Sequence, residues 1–397
     1  MPMNATPQRL RVLTLNSISR AGLDLLPAER YEVSDKQDAP HAILVRSQDM
    51  RAMSIPDTVC AIGRAGAGTN NIPVETMSQR GVPVFNAPGA NANAVKELVL
   101  AGLLMAARNI LPALRFVDGL RGSDDELAEL VEKGKKHYAG VELPGRTLGV
   151  IGLGRIGSLV ADAAIKLDME VLGFDPEITV DAAWSLPSRV RKAHSIDEVF
   201  RSSEFITLHV PLVPATRHLV NAQRLALLRP GGVLLNFARE EIVDASAVAE
   251  ALSAKRLSAY VCDFPSECLV DLHGAVALPH LGASTREAED NCAVMVANQL
   301  RDYLEHGNVR NAVNFPDVVM DRESPYRLAI ANANVPNMLG QISSTLAGAG
   351  LNIHNMLNKS KADMAYTLVD VDSAVAPEIL QALGCIQGVL NVRYVPV

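Results

Sequence analysis

The stretch Val150-Ile151-Gly152-Leu153-Gly154-Arg155-Ile156-Gly157 decides the fold of this chain. An apolar run, Thr147 to Ile151, leads into it. A helical pattern of Leu159, Val160, Ala163, Ala164 and Leu167 leaves it. Strand, glycine turn and helix in that order bring backbone N–H groups to a pyrophosphate at the helix N-terminus, where the dipole favours an anion. A lone GxGxxG is weak; this one lies between the two flanking elements it needs. The next apolar run, Glu170-Val-Leu-Gly-Phe-Asp175, reads as the second strand and ends in an acid. Such an acid accepts both ribose hydroxyls of NAD and repels the extra phosphate of NADP. NAD is therefore the expected cofactor.

Size and composition frame the rest. A chain of 397 residues exceeds one ordinary domain, and 48% hydrophobic with 20% charged residues is globular composition. The net charge of −7 argues against nonspecific nucleic-acid binding or docking on an anionic membrane. Five cysteines without a CxxC pair fit a reducing compartment better than a disulfide framework. Cys262, Cys268 and His273 match no zinc spacing, so no metal is expected. The first residues, with Pro2, Pro7 and Gln8, show no export pattern, and a cytoplasmic location is expected. The most apolar helix candidate, 95–110, carries Lys96, Glu97 and Arg108 and reads as a core helix, not a membrane span.

Short apolar runs alternate with helical patterns on both sides of the glycine turn, the mark of βα units and parallel sheets. Before the turn, strands are expected near 11–15, 42–45, 59–62 and 82–85; after it, near 170–174, 204–210, 232–236, 259–262 and 276–279. The expected fold is thus α/β, a Rossmann-type doubly wound parallel sheet inserted in a second, flavodoxin-like α/β domain. Residues 1–95 and 284–310 would form a substrate domain, and 96–283 the NAD-binding domain, with a ligand cleft between them. Residues 311–325, with Pro316, Pro325 and a charged patch, read as a linker. Residues 326–397 read βαββαβ, a ferredoxin-like α+β module. The second glycine run, Gly63-Arg64-Ala65-Gly66-Ala67-Gly68, precedes Pro73 with no helix start, so it reads as a loop with Arg64 open to a substrate anion.

Three residues at strand ends after the turn suit hydride-transfer chemistry together. Arg239 closes Val233-Leu-Leu-Asn-Phe-Ala-Arg239, and a guanidinium matches a carboxylate bidentately at any working pH. His280 lies in Leu278-Pro-His-Leu-Gly-Ala-Ser-Thr285, between a strand and a helix. Glu267 lies one strand earlier in Asp263-Phe-Pro-Ser-Glu267. A carboxylate beside an imidazole raises its pKa and fixes its tautomer, as a general base near neutrality needs. Singly, each has a plain structural alternative, such as Arg239 pairing with Glu240 or Glu241. At successive strand ends of one dinucleotide sheet they point to a site.

The ordered motifs GLGRIG, Asp175, His209-Val-Pro-Leu212, Asn236-Phe-Ala-Arg239, Asp263-Phe-Pro-Ser-Glu267 and Pro279-His-Leu-Gly-Ala-Ser-Thr285 resemble the D-specific 2-hydroxyacid dehydrogenases. Arg46-Ser47, Gly63 to Gly68 and Asn86-Ala-Pro-Gly-Ala-Asn91 extend the resemblance over about residues 40–310. It implies oxidation of 3-phospho-D-glycerate to 3-phosphohydroxypyruvate, the first step of L-serine synthesis. Arg239 would hold the substrate carboxylate, His280 take the hydroxyl proton and Glu267 orient the ring. Arg46, Ser47, Arg64, Ala65 and Gly66 would meet the substrate. Gly152, Gly154, Arg155, Ile156, Gly157, Asp175, His209, Val210, Pro211, Thr216, Ala238, Asp263 and Gly282 would line NAD.

Two departures stand out. Glu240 and Glu241 replace the glycines common after the arginine, and the acid expected at the nicotinamide amide is shifted one place, to Asp263. The alternatives are a dehydrogenase of another small D-2-hydroxy acid, or a non-catalytic NAD sensor on the same fold. Asn334-Val-Pro-Asn-Met-Leu339 and Gly350-Leu-Asn352 resemble an ACT module, in which Asn334 and Asn352 would bind an amino-acid effector across paired sheets. The family resemblance also implies a homodimer or homotetramer.

Overall fold

The run Thr147–Ile151 forms the centre of a sheet because its residues are apolar on both faces, as a strand covered on both sides requires. The computed structural model describes residues 9–396; the N-terminal Pro2, Pro7 and Gln8 lie outside them. The strands, in chain order, are β1 (Leu10–Leu15), β2 (Tyr31–Ser34), β3 (Ala42–Val45), β4 (Ala61–Arg64), β5 (Val84–Phe85), β6 (Thr147–Ile151), β7 (Glu170–Phe174) and β8 (Val190–Lys192). They continue as β9 (Phe205–Leu208), β10 (Gly232–Asn236), β11 (Leu257–Cys262), β12 (Ala275–Ala277), β13 (Tyr326–Ala333), β14 (Ile353–Lys361), β15 (Met364–Val371) and β16 (Val389–Pro396).

The chain divides into two units, Ala92–Thr285 and the remainder on either side of it. The inserted unit holds a seven-stranded sheet in the order β12-β11-β10-β9-β6-β7-β8, with every pair parallel. This is the doubly wound order, reversing direction beside β6 where the glycine turn emerges. The helix Ala92–Ala107 covers one face, and Gly102 permits the contact: a Cβ there would stand 3.2 Å from the Phe237 ring.

The other unit opens with a parallel sheet in the order β2-β1-β3-β4-β5, the flavodoxin-like arrangement. The helix Arg286–His306 returns to this sheet; a Cβ on Gly63 would stand only 2.4 Å from Val296 Cγ1. The C-terminal module forms an antiparallel sheet, β14-β15-β13-β16, in ferredoxin-like order. Strand alternation gives it two apolar faces. Leu328, Ile330, Val369 and Val371 pack on its own helices, Met338–Gly348 and Pro377–Gly384. Ala329, Ala331, Tyr366, Leu368 and Val395 join Phe85, Tyr303 and Phe315 in one core with the first sheet.

The expected linker is therefore packed rather than free, with Phe315, Val318 and Met320 buried. A buried ion pair fastens the junction. Arg327 donates to Asp370 through Nε (2.6 Å) and Nη2 (2.8 Å), and to the carbonyls of His306, Met320 and Asp321. Among the described residues no single helix is long and apolar enough to cross a membrane.

Candidate active site

The glycine turn after β6 divides its work among three positions. Gly152 has φ +91°, and a Cβ there would meet the His209 carbonyl oxygen at 2.5 Å. Gly157 lets the helix Arg155–Lys166 approach the turn, since its Cβ would be 1.9 Å from the Gly152 oxygen. Gly154 faces open space and carries no side-chain cap, so the helix N-terminus is left for a ligand anion. Arg155 and Ile156 form the first helical turn. Asp175 directly follows β7, with Oδ2 accepting from Leu153 N (2.8 Å) and Oδ1 from Glu177 N (3.0 Å). Each oxygen keeps a lone pair for a ribose hydroxyl. The residues present fit a dinucleotide.

The neighbouring loop follows β9. His209 N donates to Ile151 O at 2.7 Å, and its ring Nε2 lies 3.0 Å from Thr207 Oγ1. Burial pushes the imidazole down to about 3, so it is neutral at physiological pH. Thr216 Oγ1 donates to Pro211 O (2.6 Å) and accepts from Val213 N (2.9 Å), closing the loop that begins at Val210.

Arg239, Glu267 and His280 follow β10, β11 and β12, three adjacent parallel strands, at their carboxyl ends. Arg239 is exposed and donates to Ala238 O at 2.6 Å. Its loop is shaped by Asn236, a fully buried amide that the motif contains but sequence reasoning gave no role. Asn236 Nδ2 donates to Arg239 O (2.8 Å), and its Oδ1 accepts from Ala238 N (3.1 Å). A polar residue ending an otherwise apolar strand was the available signal.

One expectation is corrected. Among the described residues no hydrogen bond or ion pair joins Glu267 to His280. Glu267 is exposed in the turn after β11, while the His280 ring meets Phe264 edge-on, centroids 5.4 Å apart. His280 stands in the left-handed region, φ +57°. Asp263 explains the turn: buried at 2% exposure, it accepts from Leu281 N and Gly282 N, each at 2.7 Å.

In the other unit, β3 and β4 end side by side, with Ala65 N on Val45 O at 2.8 Å. Arg64 Nε donates to Arg46 O at 3.0 Å, and a Cβ on Gly66 would collide with Arg64 Nη1 at 2.3 Å. The amides of Ser47, Ala65 and Gly66 already donate, to Asn16 Oδ1, Val45 O and Arg64 O. These three amides are thus satisfied within the unit. Arg46 itself is paired with Glu289, Nη2 to Oε1 at 2.5 Å. A cavity of about 800 Å³ along the helix Arg286–His306, lined by Asn298, Gln299, Arg301 and neighbours, contains none of the expected site residues.

Asn334 and Asn352 lie at opposite ends of the C-terminal sheet. Asn334 donates to Asp363 O and Ala362 O, whereas Asn352 faces Asp372 across the strands. Nine residues of extended chain separate those levels, roughly 30 Å. One copy of the module cannot bring both to a single amino acid. Asn352 lines a shallow cavity of about 330 Å³ with Ser343, Ser344 and Ala347.

A sequence model described as "D-isomer specific 2-hydroxyacid dehydrogenase, NAD binding domain" matches residues 100–282. The chain is 30% identical over 401 residues to D-3-phosphoglycerate dehydrogenase of Escherichia coli K12, covering 96% of this chain and 94% of that one. The chain belongs to the D-isomer-specific 2-hydroxyacid dehydrogenases. The Haemophilus influenzae D-3-phosphoglycerate dehydrogenase is 32% identical over 413 residues, 97% of each chain. The solved NAD+-bound 3-phosphoglycerate dehydrogenase of Entamoeba histolytica superposes with TM-score 0.59 at 24% identity, over 77% of this chain and 99% of that one, a likeness of fold. Open α/β sheets bind ligands outside the carboxyl ends of their strands, where these three loops lie.

Proposed function

We propose that this chain oxidises 3-phospho-D-glycerate to 3-phosphohydroxypyruvate with NAD, the first step of L-serine synthesis. The observation that carries the reading is the placement of Arg239, Glu267 and His280 on three adjacent strand ends of the NAD sheet. Relatives of that name over nearly the whole chain support it. NAD is the cofactor, and when bound it supplies the hydride acceptor. Gly152 to Gly157 hold its pyrophosphate, Asp175 its ribose, and Val210, Pro211, Thr216, Ala238 and Gly282 the remaining surface.

The chain's own groups do the rest. Arg239 binds the substrate carboxylate with paired N–H donors, fixing the C2 hydroxyl. His280 Nε2 or Nδ1 takes the hydroxyl proton as the C2 hydride departs and the C–O bond becomes a carbonyl. Glu267 makes no bond to His280 among the described residues, so no role in orienting or charging the ring is assigned to it; the Phe264 ring is the group that meets the imidazole. Arg46 and Arg64 supply positive charge for the substrate phosphate, with Glu289 displaced or shared at Arg46.

A second reading is a different small D-2-hydroxy acid. Glu240 and Glu241 beside Arg239, and Glu289 on Arg46, favour it by placing carboxylates near two anion sites. A panel of D-2-hydroxy acids with and without a phosphate separates the two. Preference for the phosphorylated acid, lost on Arg46→Ala, supports the proposal; preference for an acid without the phosphate rejects it.

We further propose a homo-oligomer with an ACT-type effector site. The helix Ile110–Asp118 buries none of its residues, and Leu114 and Val117 are 54% and 53% exposed, an apolar face suited to a second copy. The separation of Asn334 from Asn352 supports an effector held between two copies of the C-terminal module, one asparagine from each. L-serine is the amino acid this reading names.

A further inference from the structure

One buried chain of hydrogen bonds runs from the arginine loop to the histidine loop. Arg239 O accepts from Asn236 Nδ2 at 2.8 Å. Asn236 O, at the end of β10, accepts from Asp263 N at 3.2 Å. The Asp263 carboxylate then accepts from Leu281 N and Gly282 N, both at 2.7 Å. Asn236 is 0% exposed and Asp263 2%.

We propose that Asn236 and Asp263 form a strut that sets the position of His280 relative to Arg239, acting as positioning residues for the oxidation. The inference rests on the roles assigned to those two residues above.

Three features of the turn fit a strut rather than a cofactor contact. Successive N–H groups converge on one carboxylate only where the backbone leaves extended geometry, and His280 does so at φ +57°. A left-handed conformation is unfavourable for a residue with a Cβ, and it persists where neighbours fix it. Two charge-assisted bonds to the next two amides are such a constraint. Gly282 is the matching half: a Cβ there would stand 3.1 Å from Asp263 Oδ2, close enough to push the carboxylate off its amides. The one-place shift of the acid puts a carboxylate where it grips the loop from inside. Asp263 Oδ1 and Oδ2 are both occupied by backbone donors, and the residue offers almost no surface to a ligand.

The test uses the full-length protein and three variants: Asp263→Asn, Asn236→Ala and the double variant. Asp263→Asn keeps one acceptor and turns an NH2 group toward a backbone N–H. Asn236→Ala cuts the other end of the strut. Amide exchange over residues 278–285, read by mass spectrometry, reports the strut whether or not the protein turns over. Exchange at Leu281 and Gly282 should rise at least about tenfold in Asp263→Asn. With substrate, kcat should fall about 10- to 100-fold in each single variant, since misplacement of about 1 Å costs that much. The dissociation constant of NAD should change less than about twofold, as expected of a group that touches no cofactor. The double variant should lose little more than either single one, because both cut the same strut. Should Asp263→Asn fail to fold, Asn236→Ala carries the kinetic test alone.

Weakened NAD binding with unchanged kcat at saturating NAD would overturn the proposal and make Asp263 a cofactor contact. Multiplying losses in the double variant, or unchanged kcat in Asn236→Ala, would overturn it too. A wild-type protein that oxidises no D-2-hydroxy acid rejects the functional reading instead, and the exchange data still judge the strut.

Discussion

Replacing Arg327 with methionine should release the C-terminal sheet from the body that carries it while leaving the NAD sheet intact. Arg327 is 0% exposed, and all five of its N–H donors are used. Two go to Asp370, the others to carbonyls at the end of the helix Arg286–His306 and in the packed segment after it. Methionine fills similar volume but strands a buried carboxylate and three carbonyls. One-sided removal of a buried pair costs about 3–5 kcal/mol, or roughly two to four orders of magnitude in the opening equilibrium.

The assay is native-state hydrogen exchange. Amides of β13 and β15 should lose protection by that factor, while β6 and β10 serve as internal controls. Arg327→Met with Asp370→Leu should recover most of the loss, because the stranded charge is gone. Acid should mimic the single change. Burial alone would raise the Asp370 carboxyl, but its bonds to Arg327 and to Glu323 N hold it below its ordinary value. Its contribution is therefore complete above the ordinary carboxylate range and lost as pH falls through the lower folded-state value. Unchanged protection in Arg327→Met, or a double variant as open as the single one, refutes this reasoning.

Other consequences are as direct. His280→Ala should lower kcat by about a hundredfold or more while NAD still binds, checked by stopped-flow and by calorimetry. Asp175→Ser removes the repulsive carboxylate, so the ratio of NADP to NAD use should rise by roughly 10- to 100-fold, in line with one charged hydrogen bond of about 1.5–3 kcal/mol; steady-state kinetics with both cofactors measures it. Leu114→Asp should shift the protein toward monomer in sedimentation velocity by placing a charge in the exposed face of the helix Ile110–Asp118. Millimolar L-serine should raise the melting temperature of the wild type and not that of Asn352→Ala.

The sequence made the central cofactor strands legible, because long apolar runs between turn signals have few other solutions: 170–174 and 232–236 are the observed β7 and β10, while 204–210, 259–262 and 276–279 overlap β9, β11 and β12 with shifted ends. Two edge strands escaped. β2 buries only Tyr31 and β8 buries nothing, so neither Tyr-Glu-Val-Ser nor Val-Arg-Lys carries an apolar pattern to detect. The segment 311–325 read as a linker from its prolines and charges, yet Phe315 is buried and Arg322 donates to the Ser324 and Glu305 carbonyls; composition does not reveal which side chains find partners.

Residue types and order put Arg239, Glu267 and His280 at the ends of successive strands, and the structure has them after β10, β11 and β12. Their side-chain pairing was beyond reach, since it depends on the left-handed turn at His280 and the carboxylate beneath it. The same holds at Ser47, Ala65 and Gly66. Loop sequence shows that amides are present, but only coordinates show them already donating to Asn16, Val45 and Arg64.

The most direct measurement follows the hydrogen at C2. With 3-phospho-D-glycerate deuterated at that carbon, NAD and the wild-type protein, mass spectrometry of the reduced nicotinamide should find one deuterium per turnover, with kcat falling in His280→Ala. Finding NAD bound but never reduced by this or any other D-2-hydroxy acid would contradict the account.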